Sequence, residues 1–368
     1  IIAASVELNT GRQRLSSGEI MRVDQFDGVS FKWIRTPQYK GNGAGRMINI
    51  LAYTFRVLMP GATKGLDKPS AVIGSSVHPF AGVAGAILAK RYGVPFVFEV
   101  RDLWPQTLVD LGRLSEKSIT TRVLRYLEKW LYKRADRIVT LLPHAADYIV
   151  PLGISSKKIV WIPNGVELDG YPVPKQPTET DTFTLMYFGA HGQANGLSNV
   201  LNAMAELQNR TGMQHVRLRM IGDGPMKPEL IQMARNLALK NVEFENPVPK
   251  QKIPALAKEA DVFVIVVRDM KQLYRYGISM NKLFDYLAAG RPTIIASEAS
   301  NNPIKEAKAG ITVPSENPRA LADAIATLVT MSQAERAAMG HAGRTYVEKY
   351  NSYEVLAARF ATMLNECS

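Results

Sequence analysis

One cysteine, Cys367, stands in 368 residues. A lone thiol builds neither an internal disulfide framework nor a cysteine-rich metal site, which points to a reducing compartment. No apolar run reaches membrane-spanning length and no signal peptide is visible, so a cytoplasmic chain, soluble or peripheral to a membrane, is expected. Five histidines, His78, His144, His191, His215 and His341, form no HExxH pattern, and no Asp-x-Asp is present to hold a divalent ion against a sugar diphosphate. Neither a metal site nor a cofactor is therefore expected. Without a GxSxG elbow or a Walker loop, hydrolase and P-loop chemistry are disfavoured as well. The chain starts at Ile1, without methionine and on a strand-like run, so an upstream segment is expected.

What is present is ordinary globular material. Hydrophobic residues make up 46% and charged residues 21%, and the length suffices for two core-forming domains. The net charge of +12 is uneven, since residues 1–175 hold 24 Lys and Arg against 14 Asp and Glu, leaving 21 against 19 for residues 176–368. A basic first half favours an anionic partner, a membrane surface before a nucleic acid, because no zinc-finger spacing or RNA-binding aromatic signature accompanies it.

Strands and helices alternate twice along the chain. In the first half, strands at 1–5, 29–34, 71–74, 94–100, 137–142 and 158–162 interleave with helices at 43–59, 81–92 and 119–133. Residues 171–181, YPVPKQPTETD, carry three prolines and no apolar period and read as a linker. The alternation then restarts with strands at 183–188, 216–221, 242–244, 261–267, 293–296 and 311–313, and helices at 318–330, 333–349 and 353–365. This pattern predicts two doubly wound parallel α/β sheets facing across a cleft, with ligands beyond the carboxyl ends of the strands.

The stretch YRYGISMNKLFDYLAAGRP, residues 274–292, shows the chemistry most directly. Leu283, Phe284, Leu287 and Ala288 mark a helix, and the loop before it brings the N–H groups of Gly277, Ile278, Ser279 and Met280 to its start, a natural anion site. Lys282 and Asp285, three apart, share a helix face. That suits a nucleotide sugar, the ammonium for a diphosphate and the carboxylate for a ribose diol; an ordinary surface ion pair has the same spacing. GAHGQANG, residues 189–196, follows a strand and is either an anion-approaching loop or a tight structural turn. Asp223, between two glycines, reads as a turn residue. Arg101-Asp102, at a strand end, is either directed at the cleft or a structural ion pair.

Taken together, FGAHGQANGL, IGDGP, VRDM and SMNKLFDYLAAGRPTI, with HPFAGVAGA, FEVRDLWPQ and IPNGVE upstream, resemble the retaining GT-B glycosyltransferases of family four. Within them the chain looks most like bacterial transferases of O-antigen and capsule assembly, including the N-acetyl-L-fucosamine transferases. The resemblance implies an acceptor-binding domain at 1–175, lacking its first strand and glycine-rich loop, and a nucleotide-sugar domain at 176–350. It further implies a helix at 351–368 crossing back. It implies a nucleotide-diphosphate donor, a UDP sugar before others, a polyprenyl-diphosphate-linked acceptor at the inner membrane, and no nucleic acid. Asp285 matches the family's ribose-binding glutamate, whereas Gly277 stands where the sugar-binding one is usual. Ala190 and Asn195 occupy the positions of the diphosphate-binding Arg and Lys. Lys282 and Arg268 are the expected replacements, and Arg101, which stands where the family has a histidine, and Asp102, in a positioning or base role, complete the expected catalytic set. Gly189, His191, Gly192, Gly224, Pro249, Gly277, Ile278, Ser279 and Asn281 complete the expected binding set. The different-class alternative is a non-catalytic sugar-nucleotide or polyanion-binding protein with a degenerate site.

Overall fold

The computed structural model describes residues 1–7, 11–41, 43–76, 78–171 and 182–367. It divides into two compact units: Ile1–Leu141, Ala145–Trp161 and Ala361–Ser368 form the first, Leu142–His144 and Ile162–Phe360 the second.

The first unit runs β1 (Ile2–Ala4), β2 (Met21–Phe26), β3 (Val29–Ile34), α1 (Ala44–Leu58), α2 (Pro60–Thr63), β4 (Val72–Ser75), α3 (Pro79–Tyr92) and β5 (Phe96–Val100). It continues through α4 (Gln106–Asp110), α5 (Ile119–Arg134), β6 (Arg137–Thr140), α6 (Ala146–Ile149) and β7 (Ile159–Trp161). The strands form two sheets, β1-β3-β2 and the wholly parallel β4-β5-β6-β7. β2 is not expected from the sequence, because Arg22 and Asp24 interrupt its apolar character. They pair with each other, Arg22 Nε lying 3.0 Å from Asp24 Oδ1. β2 lies antiparallel to β3, and Asp27-Gly28, with φ of 48° and 79°, makes the positive-φ turn that a two-residue hairpin favours.

The second unit runs β8 (Phe183–Phe188), α7 (Ser198–Gln208), β9 (Val216–Ile221), α8 (Lys227–Asn236), β10 (Val242–Glu245), α9 (Ile253–Ala257) and β11 (Val262–Val266). After these come α10 (Lys271–Tyr274), α11 (Asn281–Ala288), β12 (Thr293–Ala296), α12 (Pro303–Glu306), β13 (Gly310–Val313), α13 (Pro318–Thr330), α14 (Gln333–Tyr350) and α15 (Tyr353–Asn365). Its six strands are all parallel, in the order β10-β9-β8-β11-β12-β13. Every residue of β11 is buried, as expected of a sheet covered on both faces. Side chains of α7, α8 and α13 pack on one face, and those of α11 and α14 on the other. Strand order runs outward from β8 in one direction and from β11 in the other, so their carboxyl ends flank a topological switch point, where such sheets hold ligands.

The linker reading at 171–181 is corrected at its first residue. Tyr171 is buried in the second unit's core, and residues 172–181 lie outside the described ones.

Candidate functional site

α11 carries the site, and one residue fixes its place. Tyr286 is fully buried, stacks on Phe263 with centroids 4.2 Å apart, donates to the Phe188 carbonyl at 3.0 Å and accepts from the Phe188 N–H at 2.9 Å. A phenol both packed and doubly hydrogen-bonded ties the helix to the end of β8. One turn earlier, Lys282 therefore reaches the loop that follows β8. Its Nζ donates to Tyr187 Oη at 2.9 Å and to Asn195 Oδ1 at 2.6 Å, and lies 4.5 Å from the Tyr187 ring centroid. Tyr187 and Asn195 each donate in turn to the Ala190 carbonyl, at 2.7 and 2.8 Å. The uncharged residues at 190 and 195 thus form the cradle of Lys282. No carboxylate pairs with this ammonium among the described residues, and burial lowers its pKa to about 7. A neighbouring anion would favour its charged form.

The helix start is open where Lys282 stands. Among the described residues, the backbone N–H groups of Ser279, Met280, Asn281 and Lys282 have no acceptor, and no side chain caps α11. The expected anion site is narrower than the sequence suggests. The Gly277 N–H bonds the Tyr274 carbonyl at 3.0 Å and the Ile278 N–H bonds Asn301 Oδ1 at 2.7 Å, so neither is available to a phosphate. Ser279 is held from the Pro163-Asn164-Gly165 loop, the Asn164 N–H donating to its Oγ at 2.8 Å. Asn281, the first helical residue, is exposed.

Asp285 lies one turn further along. Tyr171 Oη donates to its Oδ1 at 3.0 Å. Burial raises the carboxyl's pKa, while the Tyr171 hydrogen bond and the Lys250 charge oppose the rise. Gly277 has φ of 102°, and a Cβ there would come within 2.6 Å of Pro143 Cδ and 2.8 Å of Asn301 Oδ1. The position usually holding a sugar-binding carboxylate has no room for a side chain.

The loops after β8 and β9 are stacked backbone to backbone. A Cβ on Gly224 would lie 2.5 Å from the His191 carbonyl oxygen, which explains the second glycine of Gly222-Asp223-Gly224. His191 is placed differently from its expected binding role. Its side chain is completely buried, neither ring nitrogen has a hydrogen-bond partner, and burial lowers its pKa to about 4, helped by Lys227. Its backbone staples the loops instead, the N–H bonding the Asp223 carbonyl at 2.8 Å. Gly189, with φ of 147°, and Gly192 belong to the β8 loop, and Pro249 is exposed after β10. Arg268, at the end of β11, is half-exposed and faces Glu316, with Nε 3.4 Å from Oε1. Arg101 and Asp102 follow β5 in the first unit and are both exposed; partial desolvation by the surrounding atoms raises the Asp102 pKa and the Arg101 charge opposes it. Tyr187, Tyr171, Asn301 and Asn164 were not legible as site residues.

Two Rossmann-like units are the architecture of the GT-B glycosyltransferase fold. Residues 4–165 match the family described as Glycosyl transferase 4-like domain, and residues 182–331 the one described as Glycosyl transferases group 1. The chain is a glycosyltransferase of this group 1 and 4-like type. Its relatives include the probable glycosyltransferase WbjE of Pseudomonas aeruginosa, 23% identical over 76% of this chain and 71% of that protein. The putative colanic acid biosynthesis glycosyl transferase WcaI of Escherichia coli K12 is 22% identical over 76% of this chain and 70% of that protein. Among solved structures, HepE of Anabaena, in complex with UDP and glucose, superposes with a TM-score of 0.66 at 15% identity, covering 92% of this chain and 86% of HepE.

Proposed function

We propose that the protein is a retaining, metal-independent hexosyltransferase that moves a sugar from a UDP-sugar donor to a polyprenyl-diphosphate-linked glycan during O-antigen or capsule assembly. The observation that carries this reading is Lys282, a part-buried ammonium with no carboxylate partner among the described residues, beside four unused N–H groups at a switch point. That arrangement suits a diphosphate, and HepE, of the same fold, was solved with UDP. WcaI, by its name, acts in colanic acid biosynthesis, which supports a surface polysaccharide as the product class.

In the proposed reaction the glycosidic C–O bond to the donor diphosphate breaks, and the leaving oxygens gather negative charge against Lys282 and the α11 N-terminus. Arg268 is the second cation in reach of the switch point. The acceptor hydroxyl attacks the oxocarbenium-like centre from the same face, and its proton passes to the departing diphosphate oxygen. Asp102, with Arg101, positions the acceptor. Asp285 holds the ribose with its free carboxylate oxygen, Oδ1 remaining bonded to Tyr171. Mass spectrometry of full-length protein with UDP, GDP and dTDP sugars, including UDP-N-acetyl-L-fucosamine, and a polyprenyl-diphosphate sugar tests the reading. A mass gain on the lipid from a UDP sugar is expected; donor binding without any transfer across the panel would overturn it.

Asp285→Ala is expected to raise the donor's apparent constant about tenfold or more while leaving turnover within a few-fold, since a charge-assisted ribose contact is made equally in ground and transition states. Asp285→Asn keeps an acceptor for Tyr171 and controls for folding. A large fall in kcat at unchanged affinity would remove Asp285 from the ribose.

The acceptor side of this proposal is peripheral attachment to the inner membrane. No helix among the described residues is long and apolar enough to cross a bilayer. On α1, Met47, Ile48, Leu51 and Phe55 are exposed, with Phe55 at 64%, whereas Ile50 and Leu58 turn toward the core. α5 exposes Ile119 at 78% and Tyr126 at 74% beside Arg122, Lys129 and Lys133, and both helices pack on α3. Arg125 is not free for headgroups, because it holds Glu116 at 2.7 Å, Gln106 and Tyr148. The protein is expected to pellet with anionic vesicles at low salt and to be released in part at high salt. Arg122→Gln, Lys129→Gln and Lys133→Gln together are expected to weaken pelleting, each charge adding on the order of 1 kcal/mol. Wild-type protein left in the supernatant at low salt would refute attachment.

A further inference from the structure

A cavity of about 350 Å³ opens on the other face of the second unit's sheet from α11, between the starts of α7, α8 and α13. Its wall carries four neutral polar side chains, Gln193, Ser198, Asn199 and Asn202. None of their polar atoms has a hydrogen-bond partner among the described residues, and those of Asn199 are buried as well. A buried amide left unbonded is costly, so Asn199, beside the more open Gln193, Ser198 and Asn202, marks a place where a ligand or water completes the bonding. Leu197, Leu230, Met226 and Met233 supply an apolar side. The charges in the lining are two carboxylates, Glu229 and Glu316, against one cation, Arg268, which Glu316 already engages at 3.4 Å. A net negative lining disfavours phosphates and carboxylates, and the volume is at the small end for ligand pockets.

From this combination we infer that the cavity is a second saccharide-binding site, beside the donor site and sharing Arg268 with it, for a neutral mono- or disaccharide. Amides and hydroxyls donate and accept at once, matching neighbouring sugar hydroxyls, while the Met and Leu side receives the C–H face of the ring. The cavity also adjoins the donor site. Gln193 and Gly196 line it, and Asn195, between them, holds Lys282 on the opposite side. An occupied cavity braces the turn that positions the ammonium. The site itself stands on its own lining and does not require the donor reading to be right.

Methionine methyl groups separate the two sites. Met226 and Met233 line the cavity, and Met280 is the residue before α11. Full-length protein labelled with methyl-13C methionine, its signals assigned by Met226→Leu and Met233→Leu, is titrated with glucose, galactose, N-acetylglucosamine and N,N′-diacetylchitobiose. At least one of these is expected to shift Met226 and Met233 saturably and to leave Met280 in place. Asn202→Leu is expected to weaken that response about fivefold or more, through the loss of a hydrogen-bonding pair. If Asn202→Leu fails to fold, Ser198→Ala, at an exposed position, takes its place. No saturable shift of Met226 and Met233 with any of the four sugars overturns the inference. So does a response to inorganic phosphate or glucose 6-phosphate with none to the neutral sugars. UDP-glucose added alone reads the donor site through Met280, so a failure there is visible separately.

Discussion

Lys282→Ala is expected to slow transfer by about two to three powers of ten, the range for losing one preorganised group that stabilises developing charge, roughly 3–4 kcal/mol. The loss is expected in kcat more than in donor affinity, because the diphosphate gains its charge as the glycosidic bond breaks. Folding is not expected to suffer. The ammonium is held by two neutral oxygens and a ring, without a carboxylate, so its removal leaves no buried counter-charge behind. Lys282→Met, closer in volume, is expected to match or exceed the wild-type melting temperature while remaining slow. Titration supplies a second readout. With a pKa of about 7 in the free protein, the amine must take up a proton to meet a diphosphate at higher pH, and the bound diphosphate raises that pKa. Affinity for UDP-glucose is therefore expected to be flat below about pH 7 and to fall as pH rises from 7 toward 9. Lys282→Met is expected to abolish the slope. Unchanged turnover in Lys282→Ala together with an inactive Arg268→Ala would transfer the role to Arg268.

Why Lys282 and Asp285 were legible, and their partners were not, follows from distance along the chain. The helix that carries both announces itself locally: Leu283, Phe284, Leu287 and Ala288 are all buried, as their spacing requires. The strands Phe183–Phe188, Val216–Ile221 and Thr293–Ala296 and the helices Pro318–Thr330 and Tyr353–Asn365 likewise fall where the apolar patterns place them. The groups completing the site come from afar. Tyr187 reaches Lys282 across 95 positions and Tyr171 reaches Asp285 across 114, contacts that no local period encodes. Side-chain direction in loops is equally hidden. His191 sits in a glycine-rich loop and reads as a ligand contact, yet its ring turns into the core. The β2–β3 hairpin was legible in principle, since Asp27-Gly28 is a hairpin turn, but the charged residues of β2 mask its strand period.

Restoring the carboxylate that the family resemblance places at position 277 is expected to damage the protein rather than improve its grip on the sugar. Gly277 has φ of 102°, a region that residues with a Cβ enter at a cost of about 1–3 kcal/mol. Space is the second obstacle. A Cβ would lie 2.6 Å from Pro143 Cδ and 2.8 Å from Asn301 Oδ1, so one of them must move, and overpacking of this kind costs roughly 1–3 kcal/mol more. Neither neighbour is idle. Asn301 accepts from the Ile278 N–H at 2.7 Å and donates to its carbonyl at 3.1 Å, while the neighbouring His144 N–H bonds the Tyr276 carbonyl at 3.1 Å. Displacing them loosens the segment that leads into Ser279 and the open start of α11. Gly277→Ala is expected to lower the melting temperature of the full chain by about 5 °C or more, as a loss of a few kcal/mol does in a unit of this size. Gly277→Glu is expected to lower it at least as far and to weaken UDP-glucose binding. The alanine variant separates the two causes, since it adds the Cβ without the charge. Scanning fluorimetry with and without UDP-glucose reads both effects. A Gly277→Glu protein with wild-type melting and tighter donor binding would mean that position 277 accepts a side chain and that a carboxylate there contacts the sugar after all.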